Sequence, residues 1–245
     1  MSPRLSRATL SDQVVSALLE HMQSDGLQPG DVLPSEGRLA EEYGVSRPVI
    51  REAIRTLAGQ GILETVVGKG AVVRPIDSGV LGNFFMRAID LDEDAMMELF
   101  EVRRGLELQS AILAAERRTA DDIAALKGLL SSLRSKLDDY ESYAEGEVAL
   151  HLQLAKASKN KMLFHLMESL SPVLKQNIAQ GFRQRRTAKE RARVQALHEN
   201  VIAEVEHGNP SAAAQAMTVH FDEAIVAIRA AQATEETHKS PPRGE

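Results

Sequence analysis

The stretch GVSRPVIREAI, residues 44–54, combines a glycine turn, a serine and two arginines at the start of a helical pattern. Ser46 stands at the predicted N-cap, where a hydroxyl can accept a hydrogen bond from the first turn. Arg47 and Arg51 are four residues apart, so they share one face of the predicted helix 47–60. A guanidinium can bind O6 and N7 of guanine or hold a phosphate. The stretch therefore suggests nucleic-acid recognition, and ordinary solvated helix charges are the alternative.

The residues on either side of this stretch predict a winged helix-turn-helix. Apolar residues at helical spacing predict helices over residues 9–25 and 36–43, and Ser35 caps the second of them. After the third helix, β-branched runs on both sides of residues 68–70 predict a β-hairpin, or wing. A short turn between the second and third helices would hold them at a steep angle. The start of the third helix would then point outward, into a major groove.

Candidate DNA contacts extend from the third helix to the wing. The helix N-terminus adds backbone N–H groups that favour a phosphate. Glycine at the wing tip has no side chain to prevent close approach, and the lysine beside it supplies positive charge. The predicted DNA-binding residues are Ser35, Arg38, Ser46, Arg47, Arg51, Gly68 and Lys69.

Composition narrows the class of protein. The chain has 245 residues, no cysteine and a formal net charge of −6. It can therefore form no disulfide, and the negative charge argues against non-specific binding of nucleic acid. No apolar run is long enough to span a membrane, and the N-terminus lacks the apolar core of a signal peptide. These features predict a cytoplasmic protein with no membrane partner.

From about residue 80 the pattern is almost entirely helical. The predicted helices cover residues 80–90, 93–117, 119–138, 140–158, 160–184, 187–207 and 210–232. The predicted domains are a winged helix-turn-helix over 1–75, a linker and first helix over 76–92, a helical domain over 93–232 and a tail over 233–245. The tail is polar and rich in proline, which is typical of disorder. The predicted fold class is mostly α, with one small β-hairpin.

One carboxylate and three histidines of the helical domain, selected among the seven histidines by the family resemblance described below, form a candidate metal site. Glu147 and His151 are four residues apart, so their side chains can converge on one ion. His198 and His220 lie on two later helices, within apolar faces. This ligand set suits Zn, Ni, Mn or Fe, and occupancy should fall at acid pH because imidazole binds when neutral. A hydrogen-bonded or surface role is the alternative for each histidine alone.

The sequence resembles two known families. PGDVLPSE, LAEEYGVSR, REAIRTLAGQGILE and GKGAVV occur in the order and spacing of the DNA-binding domain of GntR-family bacterial transcription regulators. LFEVRRGLELQSAILAAERRT, GEVALHLQLAKASKNKMLFHLMESL and ALHENVIAEVEHGNPSAAAQAMTVHF resemble the FCD ligand-binding domain of the FadR subfamily. The resemblance implies a homodimer with paired winged helices on a palindromic operator. It also implies an antiparallel helical bundle around a small-molecule pocket, which in many members holds a divalent metal.

Three positions depart from the patterns of these families. Gly37 stands where an arginine is usual, and Arg38 follows it. Pro48 replaces a small hydroxyl residue, which removes one potential contact to DNA. Glu147 stands where aspartate is more frequent, and its extra methylene moves the carboxylate outward.

The sequence thus predicts a metabolite-responsive transcription regulator, a repressor located at the nucleoid, and not an enzyme. Arg103 matches the family position that faces the pocket and would bind a small carboxylate effector, with a structural pair to Glu107 as the alternative. Effector binding would shift helices and change the spacing of the two winged helices. A metal sensor remains an alternative, and a metal-dependent enzyme with a hydrolytic water is another.

Overall fold

The computed structural model describes residues 9–92, 95–185 and 187–239. The chain divides into two compact units, Met1–Val80 and Leu81–Glu245. The first unit contains α1 (Leu10–Ser24), α2 (Glu36–Tyr43), α3 (Arg47–Gly59), β1 (Leu63–Val66) and β2 (Gly70–Val73). The remaining helices are α4 (Gly79–Leu91), α5 (Ala95–Arg117), α6 (Ala120–Arg134), α7 (Tyr140–Ala157), α8 (Lys161–Gln184), α9 (Ala188–His207) and α10 (Pro210–Lys239). The chain is therefore mostly α with one hairpin, which confirms the predicted fold class.

Local signals set the bounds of α2 and α3. The hydroxyl of Ser35 accepts a hydrogen bond from the backbone of Arg38, and Gly44 ends α2 with a left-handed φ of 65°. Ser46 occupies the N-cap of α3, but its side chain makes no capping hydrogen bond, so the predicted capping role is wrong. The reason is local, because Pro48 has no N–H and the N–H of Val49 donates to the carbonyl of Ser46 at 3.0 Å.

The wing is an antiparallel hairpin. β1 pairs with β2 from Leu63 opposite Val73 to Val66 opposite Gly70. The turn needs a left-handed backbone at Gly68, where φ is 81°. The core of the first unit is formed by side chains from all three helices and from the wing, and its members include Leu18, Leu39, Ile50, Leu57 and Leu63. Packing on this core fixes α3 and the wing relative to each other.

The second unit is a helical bundle. Threonine-based capping boxes start α6 and α9, and Asn160 caps α8. Short turns connect α7 to α8 and α9 to α10, so each pair packs as an antiparallel helical hairpin. α5 packs against α7, α9 and α10, which places it centrally in the bundle. The largest fully buried side chains of this core are Tyr143, Phe182 and Phe221.

Two predicted helix ends differ from the structure. α6 ends at Arg134 instead of residue 138, because the chain turns there and Asp139 becomes the N-cap of α7. α10 runs to Lys239 and so includes the start of the tail predicted to be disordered, whereas residues 240–245 lie outside the described residues. Within the described ranges, no helix combines the length and apolar character needed to cross a membrane.

Candidate nucleic-acid interface and metal centre

An exposed arginine face lies on α3, opposite its buried side. Arg51 reaches to Glu36 in the first turn of α2, with Nη2 2.8 Å from Oε2 and Nε 3.2 Å from the same oxygen. The hydrogen bond from Arg51 is the largest effect that lowers the pKa of Glu36, and the nearby charges of Arg47 and Arg55 add to it. This ion pair uses Nε and one hydrogen of Nη2. The rest of the guanidinium is outside this contact and can meet another acceptor.

Arg47 lies at the start of α3, beside Gly37 of α2. A Cβ added at Gly37 would lie 3.1 Å from Nη2 of Arg47. The missing side chain therefore makes room for the guanidinium at the position where the resembled family usually carries an arginine. Arg38 is exposed, and its backbone N–H donates to the hydroxyl of Ser35 at 3.3 Å.

The wing presents its turn to solvent. Gly68 and Lys69, which the sequence predicted as DNA contacts, are both exposed. Val67 beside them is fully exposed, at 100%. Sequence reasoning did not single out Val67, although an apolar residue at a hairpin tip is itself a signal. An apolar side chain there can pack against a groove wall or sugar, whereas lysine can meet a phosphate.

The four residues predicted to hold a metal converge in the helical bundle. Glu147 and His151 come from α7, His198 from α9 and His220 from α10. One ligand atom from each lies within 4.8 Å of the others, and all four residues are buried. The imidazole rings are 4.6 Å apart for His198 and His220 and 5.3 Å apart for His151 and His198. Convergence of side chains from three helices requires the bundle to fold before the site exists.

The chemistry of these side chains fits a cation. Nε2 of His151 and Nε2 of His198 are buried and have no hydrogen-bond partner among the described residues. Burial lowers the pKa of His198 and His220 well below the usual histidine value, so both rings are held neutral, in the form that binds metal. Burial also raises the pKa of Glu147. A divalent ion would oppose that effect by stabilising the ionised carboxylate.

A second layer of side chains contacts the histidines. The hydroxyl of Tyr143 lies 3.4 Å from Nδ1 of His198, and its ring stacks on Phe182 with centroids 3.8 Å apart. Nδ1 of His151 contacts Oε2 of Glu107. Tyr143 was not among the residues predicted for this site. The signal was present, since positions 143, 147 and 151 repeat at the four-residue spacing of one helix face.

Arg103 is buried and paired with Glu107. Its Nε donates to Oε1 of Glu107, and its guanidinium carbon lies 5.4 Å from the ring centroid of Phe221. The ion pair with Glu107, which the sequence offered as the alternative role of Arg103, is therefore present. This contact engages Nε, so the pairing does not by itself prevent the outer nitrogens of Arg103 from meeting a ligand.

Each of the two compact units matches a known protein family. Residues 10–73 match the bacterial regulatory proteins of the gntR family, and residues 98–223 match the FCD domain. The chain belongs to the GntR family. It is a metabolite-responsive transcription regulator, because the first match implies DNA binding and the second a small-molecule effector. The matched proteins are regulators, so this GntR-family chain is not an enzyme.

Individual relatives agree with this assignment. The HTH-type transcriptional regulator LutR of Bacillus subtilis is 34% identical over 198 residues, which cover 80% of this chain and 90% of LutR. The galactonate operon transcriptional repressor of Escherichia coli is 29% identical over 167 residues, 66% of this chain and 72% of the repressor. The structure of Streptococcus agalactiae GntR superposes with a TM-score of 0.67 and 29% identity, over 87% of this chain and 97% of that one.

Proposed function

We propose that this GntR-family chain is a homodimeric repressor whose affinity for a palindromic operator changes when a small carboxylate binds beside a divalent metal. Residues 1–75 would bind DNA, and residues 93–232 would bind the effector and form the dimer. The observation that carries the proposal is the convergence of four buried ligand atoms within 4.8 Å. Nε2 of His151 and Nε2 of His198 are buried in this cluster without a hydrogen-bond partner among the described residues, which supports a bound cation.

The DNA-binding half of the proposal depends on the exposed end of α3. Arg47 and Arg51 are exposed there on one face, at the spacing that lets both reach one groove. The hydroxyl of Ser46 is exposed and makes no capping hydrogen bond, which fits a phosphate contact. The proposed DNA contacts are Ser35, Arg38, Ser46, Arg47, Arg51, Gly68 and Lys69. DNA contact would place the protein at the bacterial nucleoid.

The metal would be held by Glu147, His151, His198 and His220. Zn, Ni, Mn and Fe all suit this ligand set. A bound divalent ion supplies positive charge for a ligand carboxylate. Arg103 pairs with Glu107, which in turn contacts His151, and this proximity supports a role for its guanidinium in binding a second oxygen of the effector.

The name of one relative supports a small carboxylate as effector, whereas the relatives include both a repressor and an activator, so repression is proposed on mechanism alone. The relative from Escherichia coli is named as a repressor of a galactonate operon, and galactonate is a carboxylate. Repression needs only occupancy of the operator, with no further contact to polymerase. In a dimer, effector binding would change the spacing of the two winged helices and so remove simultaneous binding to both half-sites.

The decisive experiment starts from the full chain and a pool of random duplex DNA. Selection should enrich one palindromic sequence, and fluorescence anisotropy on that duplex then measures affinity with chelator, with each metal, and with metal plus single small carboxylates. We expect affinity to change only with metal and carboxylate together, and a promoter–operator reporter to be repressed. Failure to enrich any sequence would contradict DNA binding, and activation of the reporter would contradict repression.

Metal sensing is the second candidate, because the four ligand atoms are buried and come from one compact cluster. In that case the ion itself would be the effector. The same titration separates the two functions, since metal without any organic acid would then change operator affinity.

A further inference from the structure

Glu107 is a fully buried carboxylate, 1% exposed, that lies between two functional side chains. Its Oε1 accepts from Nε of Arg103, and its Oε2 contacts Nδ1 of His151. The contact with the Arg103 guanidinium favours the ionised form of this buried carboxylate, because a nearby opposite charge stabilises it. Both oxygens of Glu107 therefore lie against a nitrogen of another buried side chain.

The contact to Glu107 determines which nitrogen of His151 can bind an ion. An ionised carboxylate only accepts hydrogen bonds, so Nδ1 of His151 must carry the proton that meets it. A ring that binds metal must be neutral, so its lone pair would then be on Nε2. That atom is buried and has no hydrogen-bond partner among the described residues. A carboxylate behind a ligating imidazole also fixes the ring orientation and increases its basicity.

We propose that Glu107 is a positioning residue of the metal centre: it holds His151 in the Nδ1–H tautomer with Nε2 toward the ion, and it ties Arg103 to the same ring. This inference depends on the proposed metal centre and goes beyond it by assigning a role to a residue that is not a ligand. Glu107 does not belong to the group of residues whose ligand atoms converge within 4.8 Å. It therefore acts through His151.

The link to Arg103 gives Glu107 a second consequence. A ligand that moves the guanidinium of Arg103 changes the electrostatic interaction at Oε1 of Glu107. The same carboxylate contacts His151 through Oε2, so the interaction with His151 changes as well. Metal binding and carboxylate binding are therefore coupled through one side chain, and each should increase the affinity for the other by the same factor. In Glu107→Gln, binding of one ligand should hardly change the affinity for the other, so this factor should approach one even when metal saturates the site.

The test measures Zn²⁺ affinity of the full chain, stripped with chelator, by isothermal titration calorimetry. Glu107→Gln keeps the shape of the side chain and removes the charge, and we expect it to weaken Zn²⁺ binding by about 10- to 100-fold. Asp122→Asn is the matched control. Asp122 is also a buried carboxylate, and it contacts Thr119 and Lys159 and not the histidines of the cluster. We expect this control to bind Zn²⁺ like the unmodified chain.

His151→Ala distinguishes failure of this inference from failure of the proposed metal centre. If His151→Ala loses Zn²⁺ while Glu107→Gln binds normally, the inference is overturned and the metal centre stands. If His151→Ala also binds normally, the proposed metal centre itself is wrong. Equal losses in Glu107→Gln and Asp122→Asn would show a general effect on folding and would also overturn the positioning role.

A measurement on the unmodified chain covers the case in which Glu107→Gln fails to fold. Two-bond ¹⁵N–¹H correlations of the imidazole rings report which nitrogen carries the proton. We expect the Nδ1–H form for His151, both without metal and with Zn²⁺ bound through Nε2. A proton on Nε2, or Zn²⁺ bound through Nδ1, would overturn the assignment.

Discussion

Arg51 of α3 is held by Glu36 of α2, with Nη2 of the arginine 2.8 Å from Oε2 of the glutamate. The side chain of Arg51 is still 54% exposed, so this ion pair is at the surface and contributes at most about 1 kcal/mol to stability. The ion pair mainly restricts the orientation of the Arg51 guanidinium. A guanidinium that is already oriented loses less rotational freedom when it meets a base.

The first prediction therefore concerns Glu36. Glu36→Gln should leave thermal stability nearly unchanged and weaken operator binding several-fold, because Arg51 must then be ordered at the moment of binding. Anisotropy on the selected operator and on single-base variants measures this. Discrimination at the base read by Arg51 should decrease more than affinity for unrelated DNA. Equal loss on every sequence would show that the ion pair has only a general electrostatic effect.

The second prediction concerns the arginines themselves. If the arginine contacts a base, Arg47→Ala or Arg51→Ala should remove about 1–3 kcal/mol of discrimination at that base. If it contacts a phosphate, the substitution should weaken binding to all sequences equally and reduce the salt dependence of binding. The fold should remain intact, because both side chains are exposed. Arg134→Ala is a matched control, since Arg134 is also exposed and ion-paired, with Glu199 of the helical bundle. Full-affinity operator binding by both α3 variants would contradict the proposed interface.

The third prediction concerns pH and metal. Burial keeps His198 and His220 neutral below the usual histidine pKa, so in the metal-free chain these rings resist protonation that the unfolded chain accepts. Stability should therefore decrease as pH falls below about 6.5, because the unfolded state then binds more protons. Zn²⁺ should raise the melting temperature at neutral pH, and the gain should disappear as acid competes for the ligands. Differential scanning calorimetry across pH, with and without chelator, measures both effects.

A variant without one ring provides the control for that experiment. His220→Ala should lose most of the Zn²⁺-dependent rise in melting temperature. His207→Ala should retain it, because His207 is an exposed histidine in the last turn of α9, near Glu204. Retention of the rise by both variants would show that Zn²⁺ binds elsewhere.

The fourth prediction separates packing from orientation at Tyr143. Tyr143→Phe keeps the ring that stacks 3.8 Å from Phe182 but removes the hydroxyl that meets His198. We expect stability to change by less than about 1 kcal/mol and Zn²⁺ affinity to decrease about tenfold. Phe182→Ala, in contrast, should destabilise the bundle by about 3–5 kcal/mol, because it opens a cavity in the core. Denaturant titration and calorimetry measure the two quantities separately.

The fifth prediction compares two glycines in neighbouring helices. A Cβ at Gly146 of α7 would lie 2.9 Å from Cδ2 of Leu133, whereas a Cβ at Gly128 of α6 would meet nothing within 4 Å. Gly128→Ala should therefore stabilise the bundle by about 0.5–1 kcal/mol, as expected for a helix interior. Gly146→Ala should destabilise it by about 1–3 kcal/mol through overpacking. The result is checked by denaturant titration, and equal stabilisation of both variants would contradict the close approach of α6 and α7.

The sequence predicted those features that depend on neighbours along the chain. The helical stripes, the cap at Ser35 and the turn at Gly68 arise from residues within a few positions of one another, and the structure confirms them. Ser46 shows the limit of this reasoning. A serine at an N-cap is a strong signal, but the proline two residues later removes one donor and leaves the hydroxyl without a capping bond.

For the candidate metal centre, the sequence provided the residues and the tertiary structure provided the distances. Glu147 and His151 were predictable as a pair because both lie on one helix face. Their approach to His198 and His220 depends on the packing of α7, α9 and α10, which no local pattern determines. Whether these residues bind a metal stays a prediction.

The tertiary structure also decided which charged side chains form ion pairs. The sequence offered ordinary solvated charges as the alternative for the α3 arginines and did not indicate that Arg51 would pair with Glu36 of α2. In the same way, Glu107 could be paired with Arg103 from the sequence, but its contact to His151 of another helix could not. By itself the sequence determined the helices and the wing, because backbone hydrogen bonds and caps are local. It also determined the family, through motifs in a fixed order and spacing. Only the folded bundle decided which buried charges meet, because an unpaired charge in the interior is costly and packing selects its partner.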